Sequence, residues 1–168
     1  AIFISRATMT LLVALLTAAT AWADNENVTY IDADGNTQTA NATVLTGNEG
    51  SLGTEGQTKW YVVNSNISYS GTITTSGNVN IILADSKTMT VNNGINGNGN
   101  LTIYGQSGQS GILNATNTSG TYTICCNPGN FIINGGTVKA NHNDYAIYIP
   151  QGTFNINRGT VNATSGDS

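Results

Sequence analysis

The acidic and basic side chains are where chemistry would begin, and this chain has few of them. Nine Asp and Glu, five Lys and Arg and one His occur among 168 residues. Hydrolysis of a glycosidic bond takes two carboxyl groups that flank the bond, and a lyase takes a base beside carboxylates that bind Ca²⁺. Only the first four acids after residue 23 lie close together in sequence, so we predict no catalytic cluster and no enzyme. The nine acidic residues are Asp24, Glu26, Asp32, Asp34, Glu49, Glu55, Asp85, Asp144 and Asp167.

One acidic segment has the opening spacing of a calcium-binding loop, namely Asp32-x-Asp34-x-Asn36. The complete pattern requires Gly at its sixth position and an acid at its twelfth. This chain has Thr37 and Thr43 there. The segment is therefore predicted to be a hairpin turn, and neither a metal site nor a cofactor is expected.

Neither the histidine nor the cysteines indicate a reactive site. His142 has no nucleophile or second ligand in its segment, so it is expected to be an exposed loop residue. Cys125 and Cys126 are adjacent, and a disulfide between neighbours would be strained. On a strand they would point to opposite faces. We expect one buried and one exposed thiol, with a vicinal redox switch as the alternative.

The composition narrows the class of protein. Charged residues make up 8% of the chain, against about 25% in ordinary globular domains. Five Lys and Arg are too few for the basic surface that nucleic acids require, which excludes a nucleic-acid partner. The abundant Thr, Val and Ile argue against disorder. The 24 Asn and 20 Gly suit turns rather than helices.

Residues 1–23 have the organisation of a secretion signal. Arg6 is the positive residue, the apolar run from Leu11 to Ala19 is shorter than a bilayer-spanning helix requires, and Ala21-Trp22-Ala23 is typical of a cleavage site. The mature chain is expected to begin near Asp24, to be extracellular or on a bacterial cell surface, and to have no membrane span. Because the sequence begins with Ala and stops within a repeat, we expect it to be a fragment of a longer protein.

The later part of the chain is a repeat. Residues 131–140 (FIINGGTVKA) align without gaps to residues 154–163 (FNINRGTVNA), and looser copies begin at Val79 and Leu101. Apolar residues alternate within each copy, which indicates half-buried strands. Three short strands per copy, separated by Gly and Asn, predict an all-β, right-handed single-stranded parallel β-helix over residues 59–168. A propeller or sandwich would need hairpin turns and, for propeller blades, longer periods, and a low-complexity tract would lack the alternation.

The alternation also predicts which residues point inward. In the first strand of each copy they are Val79/Ile81, Leu101/Ile103, Phe131/Ile133 and Phe154/Ile156. In the second strand they are Met89/Val91, Leu113/Ala115, Val138/Ala140 and Val161/Ala163, and in the third Tyr122/Ile124 and Ile147/Ile149.

Residues 24–58 differ from the repeat. Val28 to Ile31 and Thr37 to Leu45 flank an Asp-Gly turn, which predicts a β-hairpin. We expect this segment to cap the N-terminal end of the β-helix, which would otherwise be an open edge. Between coils, Asn side chains at equivalent turns are expected to form hydrogen-bonded ladders, as at Asn134 and Asn157.

The GGTVxA segments, the run Asn100 to Gly108 (NLTIYGQSG) and the segment Trp60 to Asn66 (WYVVNSN) carry a resemblance to a known group. Together they resemble the secreted, repeat-bearing surface proteins of gut and oral Bacteroidetes. Those proteins are often described as carbohydrate-binding-domain-containing or adhesin-like, and belong to the pectate-lyase-like β-helix group. The resemblance implies the architecture and contact with glycans, and it carries over no catalytic residue.

The ligand-contact candidates follow from strand alternation. Tyr104 and Tyr148 should face outward, with Tyr104 in register with Asn134 and Asn157, while Phe131 and Phe154 face the core. His142 and Asp144 lie in a polar turn that could meet a sugar. We therefore expect a non-enzymatic, adhesin-like or glycan-contacting stalk whose partner is a polysaccharide or a host or bacterial surface glycan. The alternative is the N-terminal part of a polysaccharide lyase or hydrolase whose catalytic coils lie beyond residue 168.

Overall fold

The computed structural model describes residues 24–166. The predicted signal peptide, residues 1–23, and Asp167 lie outside the described residues. Residues 24–166 form β-strands and no helix, so no helix there could span a membrane. The strands are β1 (Asn25–Ile31), β2 (Thr37–Val44), β3 (Ser51–Val63), β4 (Ile67–Tyr69), β5 (Ile73–Leu83), β6 (Thr88–Val91), β7 (Ile95–Gly105), β8 (Ile112–Thr116), β9 (Tyr122–Cys126), β10 (Phe131–His142), β11 (Tyr145–Tyr148) and β12 (Phe154–Ser165).

From β3 onward the chain winds into a parallel β-solenoid of about five turns. The predicted all-β parallel β-helix is therefore confirmed. Each turn contributes a strand segment to three faces, and long strands such as β5 and β10 bend at a corner to serve two faces. Face 1 contains residues 58–63, 78–83, 100–105, 131–134 and 154–158; face 2 contains 67–69, 88–91, 112–116, 137–142 and 160–165; face 3 contains 51–53, 73–76, 95–97, 122–126 and 145–148.

The core consists of like residues stacked from turn to turn. On face 1 the strand pairing aligns Val79, Leu101, Phe131 and Phe154, as the repeat predicts. The first three are fully buried, and the Phe131 and Phe154 rings stack with centroids 5.4 Å apart. Burying an aliphatic or aromatic side chain of this size contributes about 1.5–3 kcal/mol, so each buried member of these stacks stabilises the solenoid.

Face 3 departs from the predicted register. Ile124 pairs with Ile147, but Tyr122 pairs with Tyr145, and Ile149 lies beyond the end of β11. The prediction matched Tyr122/Ile124 to Ile147/Ile149 and was therefore wrong by two residues. The error arises because the corner between β10 and β11, residues 143–144, is shorter than the loop between β8 and β9, residues 117–121. The spacing of the repeat therefore does not carry across this corner.

The corners between faces 3 and 1 are built from glycine and asparagine. Gly77 and Gly99 pair directly at positive φ, and a Cβ on Gly99 would overlap the Gly77 carbonyl oxygen. One residue later, the Asn100 amide donates to Asn78 Oδ1 at 2.7 Å, and its own Oδ1 accepts from the Asn130 backbone N–H at 2.9 Å. The predicted asparagine ladders are present here and between Asn157 and Asn134, whose side chains are joined at 2.8 Å.

The β1–β2 hairpin does not sit where the sequence analysis placed it. Val28 and Ala42 form a second, smaller apolar cluster with Val62 and Ile82, which are outward-facing residues of face 1. The hairpin therefore covers the open edge of β3 only through Thr43 and Val44, and packs mainly against the outside of face 1. The reason is that Val62 and Ile82 are apolar at outward positions, so this outer surface also needs to be covered.

The hairpin runs along the stack of coils. At one end Val44 pairs with Val62 in the first coil, in the middle the Thr29 carbonyl accepts a hydrogen bond from Gln106, and at the turn Gly35 lies against the Arg158 guanidinium in the last coil. Seven extended residues span about 23 Å, close to the roughly 19 Å covered by five stacked strands. We call this element, residues 25–44, the strap.

A different segment closes the N-terminal end of the core. Leu45 and Leu52 are buried members of the main core cluster, and the loop between them is held by Glu49. β3 begins at Ser51 and pairs with β5 from that residue onward. Residues 51–58, which the sequence analysis assigned to the cap segment, therefore belong to the solenoid.

Candidate functional site

The stripe predicted around Tyr104 lies largely under the strap. Tyr104 points outward, but the rings of Tyr30 and Trp60 lie against it, with centroids 4.7 and 5.1 Å from that of Tyr104. Burial raises the pKa of the Tyr104 hydroxyl. The expectation of a freely exposed tyrosine is therefore corrected, because the strap supplies an aromatic cover that the repeat pattern does not reveal.

The two asparagines of that stripe have structural partners. Asn134 is buried, and Asn157 in the exposed last coil donates its amide to Asn134 Oδ1. A bulge at this point shifts the pairing so that Asn134 lies opposite Arg158 rather than Asn157. The predicted stripe of Tyr104, Asn134 and Asn157 is thus a ladder within the fold, of which only Asn157 is exposed.

His142 is not the exposed loop residue that the sequence predicts. It is 4% exposed at the end of β10. Its Nδ1 accepts hydrogen bonds from the backbone N–H groups of Asp144 and Tyr145 at 2.7 and 3.2 Å, and Nε2 lies 3.0 Å from the Gly120 carbonyl oxygen. These contacts assign the proton to Nε2. His142 therefore shapes the corner that presents Asp144 and Tyr145, both of which are exposed.

Both cysteines are buried and free, which corrects the expectation of one exposed thiol. Cys126 points into the core, where burial raises its pKa to about 12. Burial also raises the pKa of the outward Cys125, and a hydrogen bond with Tyr122 opposes that rise. The side chains above face 3 therefore cover a thiol that strand alternation alone would expose.

Three tyrosines form an aromatic cluster on the outside of face 3. The rings of Tyr122 and Tyr148 are stacked, with centroids 5.5 Å apart and planes 7° apart, and the Tyr145 ring lies 5.4 Å from that of Tyr148. Tyr145 and Tyr148 are 52% and 37% exposed. We call these residues the tyrosine cluster. Two of the predicted contact residues are exposed in this region. Tyr148 belongs to the tyrosine cluster, and Asp144 precedes Tyr145 in the chain.

A polar groove of about 300 Å³ adjoins the tyrosine cluster at the corner between faces 2 and 3. Tyr122 belongs to both features. No charged side chain lines this groove. Its lining consists of Thr72, Asn93, Gly94, Ile95, Asn96, Asn117, Gly120, Thr121 and Tyr122.

The groove combines fixed and free polar groups. The Asn117 side chain donates to the Tyr122 carbonyl at 2.7 Å and accepts from the N–H groups of Ser119 and Gly120, so it is committed to holding the wall. The side chains of Asn96 and Thr121, both exposed, have no hydrogen-bond partner among residues 24–166. A rigid wall with free amide and hydroxyl groups is suited to hydrogen bonding with a polar, uncharged ligand.

A second groove, of about 240 Å³, shares Thr72 with the first and contains Glu49 and Tyr69. The Glu49 carboxylate accepts from the Tyr69 hydroxyl at 2.6 Å and from the Thr46 N–H at 2.9 Å. Burial alone would raise the pKa of Glu49, but these hydrogen bonds outweigh it and hold the pKa at about 2. Burial, together with the carboxylate, raises the pKa of Tyr69. Both oxygens of Glu49 are engaged in the fold.

Other carboxylates are also engaged by the backbone. Asp85 accepts from the N–H groups of Gly108 and Ser110 and so holds the loop that lengthens its neighbouring coil. Asp32 accepts from the N–H groups of Asp34 and Asn36 in the strap turn, which is the hairpin turn predicted from the sequence. Among residues 24–166 no three His, Cys, Asp or Glu side chains lie close enough together to hold a metal ion.

The sequence matches no family model, and neither a curated protein nor a solved structure shows significant similarity to it.

Proposed function

We propose that this chain is a non-enzymatic, secreted cell-surface β-solenoid that contacts neutral glycans through the tyrosine cluster and the polar groove. The observation that carries the proposal is the position of Tyr122, which stacks on Tyr148 and also lines the groove. A sugar has apolar C–H faces and hydroxyl edges. An aromatic ring can stack on the C–H faces, and free amide and hydroxyl groups beside it can hydrogen-bond to the hydroxyl edges.

The uncharged lining is the reason for proposing a neutral glycan. The polar groove contains neither a basic side chain to pair with a uronic acid nor an acidic one to pair with an amino sugar. Desolvating an unpaired charge is costly. Charged polysaccharides should therefore bind more weakly here than neutral ones of the same length.

The use of the carboxylates supports binding over cleavage. Asp32, Glu49 and Asp85 each accept hydrogen bonds that hold a turn or a loop. A carboxylate that acts on a glycosidic bond must face its substrate. Export and a surface location rest on residues 1–23 and on the resemblance of the repeat, and N-terminal sequencing of the protein recovered from each cell fraction would test them.

The binding proposal is tested on a glycan array that carries neutral, anionic and amino-sugar polysaccharides, followed by titration calorimetry with any hit. Tyr148→Ser and Asn96→Ala should each weaken binding at least several-fold. Tyr148→Phe, which keeps the ring, and Asn98→Ala, an exposed asparagine of the same strand outside the groove, should leave it unchanged. An affinity that none of the four substitutions changes, or a preference for charged glycans, would contradict the proposal.

A further inference from the structure

The polar groove beside the tyrosine cluster continues along the solenoid. It adjoins the second groove at Thr72, which lines both, and their volumes are about 300 and 240 Å³. The combined lining extends from Gly47, in the loop before β3, to Tyr122, at the start of β9. It therefore crosses four successive coils along their stacking direction, and the corner at residues 143–144 follows in the next coil. We call the combined feature the axial groove.

Glycines keep the axial groove open in each of the four coils. The first coil contributes Gly47 and Gly50, and the next three contribute Gly71, Gly94 and Gly120. A Cβ on Gly71 would meet nothing within 4 Å. The space above this residue, near the middle of the groove, is therefore free of the protein's own atoms and available to a ligand.

Each of these coils also presents a polar side chain to the groove. The four are exposed, and they are Asn48, Ser70, Asn96 and Thr121. The side chains of the last three make no hydrogen bond among residues 24–166. Because stacked strands are about 4.8 Å apart, free polar groups recur along the groove at about the interval of one coil.

The charge of the axial groove is confined to one residue. Glu49 is the charged side chain among the lining residues. Its carboxylate accepts hydrogen bonds from the Tyr69 hydroxyl and the Thr46 N–H, so it is already engaged and would repel an anionic sugar placed beside it. The whole groove therefore favours an uncharged ligand, as the part beside Tyr122 does.

We propose that the axial groove binds a linear, neutral, β-linked glycan in an extended conformation, laid along the solenoid axis with about one sugar unit per coil. This inference rests on the proposed function and names the class of glycan. An extended β-linked chain of pyranose rings repeats at a distance close to the coil spacing, so successive sugars meet successive coils. Four coils span three intervals, about 14 Å, which accommodates about four sugar units. An α-linked chain that winds into a helix would leave so straight a groove.

The first test is the dependence of affinity on chain length, measured by titration calorimetry and, for weak ligands, by NMR titration. The probes are β-linked gluco-, manno- and xylo-oligosaccharides from disaccharide to hexasaccharide, with α-linked malto-oligosaccharides as the comparison. In the β-linked series that binds, affinity should rise at least several-fold from disaccharide to tetrasaccharide and then level off, because the groove ends there. Malto-oligosaccharides should bind more weakly and gain little with length.

The second test blocks the axial groove near its middle. Gly71→Leu places a branched side chain in open space, so the fold should be kept while the part of the groove beyond Thr72 is closed. The tetrasaccharide should then bind no more tightly than the disaccharide, which still reaches Tyr122. Gly71→Ala is the matched control, because a methyl group fills little of the groove, and it should keep the gain in affinity with length. Thermal unfolding checks that both variants are folded.

The outcomes distinguish this inference from the proposed function. An affinity for neutral glycans that does not change beyond the disaccharide, or a gain with length that survives Gly71→Leu, would overturn the axial groove and leave the proposed function standing. Equal affinity for malto-oligosaccharides would overturn the extended geometry. If no neutral glycan binds, both proposals fail.

Discussion

The hydroxyl of Tyr69 donates a 2.6 Å hydrogen bond to the carboxylate of Glu49, and this contact fastens the loop before β3 to the first coil of the core. The Thr46 and Gly47 N–H groups donate to the same carboxylate. One acidic side chain thereby organises the end of the solenoid. Its ionisation should consequently be visible in the stability of the protein.

Acid should destabilise the fold through Glu49. Its pKa is lowered from 4.5 to about 2, so its contribution is fully present above pH 4.5 and is lost as the pH falls toward 2. Allowing for solvent screening of this partly exposed group, we expect a loss on the order of 1 kcal/mol. Urea unfolding between pH 2 and 6 measures it. Glu49→Gln should be less stable at pH 6 and should show a flatter pH dependence, and equal slopes for the two proteins would contradict this assignment.

The corner glycines should tolerate no side chain. In Gly99→Ala the new methyl group would overlap the Gly77 carbonyl oxygen while the residue keeps a positive φ. We expect a loss of about 1–3 kcal/mol, as for other strained backbone substitutions. Gly71→Ala is the matched control because a Cβ there contacts nothing within 4 Å. Thermal unfolding should show a large drop in Tm for the first variant and almost none for the second.

The asparagine ladder should contribute to stability at each step. Asn100→Ala removes the hydrogen bonds to Asn78 and from the Asn130 backbone. It also leaves the part-buried Asn130 N–H without its acceptor, which costs about 1–3 kcal/mol. Asn98→Ala changes an exposed neighbour in the same strand and should be nearly neutral. A comparable loss in the two variants would mean that the ladder itself contributes nothing.

The thiols should report on the tyrosine cluster. Both cysteines are buried and their pKa values are raised, so a thiol reagent should react slowly with the native protein. Tyr122→Ala removes the side chain that is hydrogen-bonded to Cys125. Reaction at that thiol should accelerate at least tenfold while Cys126 stays protected. Mass spectrometry of the labelled peptide identifies the site, and equal acceleration at both thiols would indicate general unfolding instead.

The solenoid could be predicted from the sequence because its information is local and repeated. The copies at Phe131 and Phe154 are so alike that their alignment is also their strand register, except at the bulge beside Asn134, and alternation then separates inside from outside. Where a loop varies in length, as before Tyr122, the repeat loses its frame, and the predicted register of face 3 was wrong for that reason.

Contacts between parts of the chain that do not repeat could not be predicted in this way. The strap lies on face 1 because Val62 and Ile82 are apolar on the outer side, a signal that was present but that alternation alone cannot assign to a partner. The burial of Tyr104 and of His142 likewise depends on residues far away in sequence, Tyr30 and Gly120. The tyrosine cluster and groove were missed for the same reason, except for Tyr148.

The strap has a mechanical consequence. Adjacent coils are joined along the stacking direction by backbone hydrogen bonds, which a pulling force along the solenoid axis would load one coil after another. The strap runs beside these bonds in the same direction, and contacts the solenoid from Val62 in the first coil to Arg158 in the last. Tension would therefore be shared between two parallel elements, and separating the coils would also require shearing the strap from face 1.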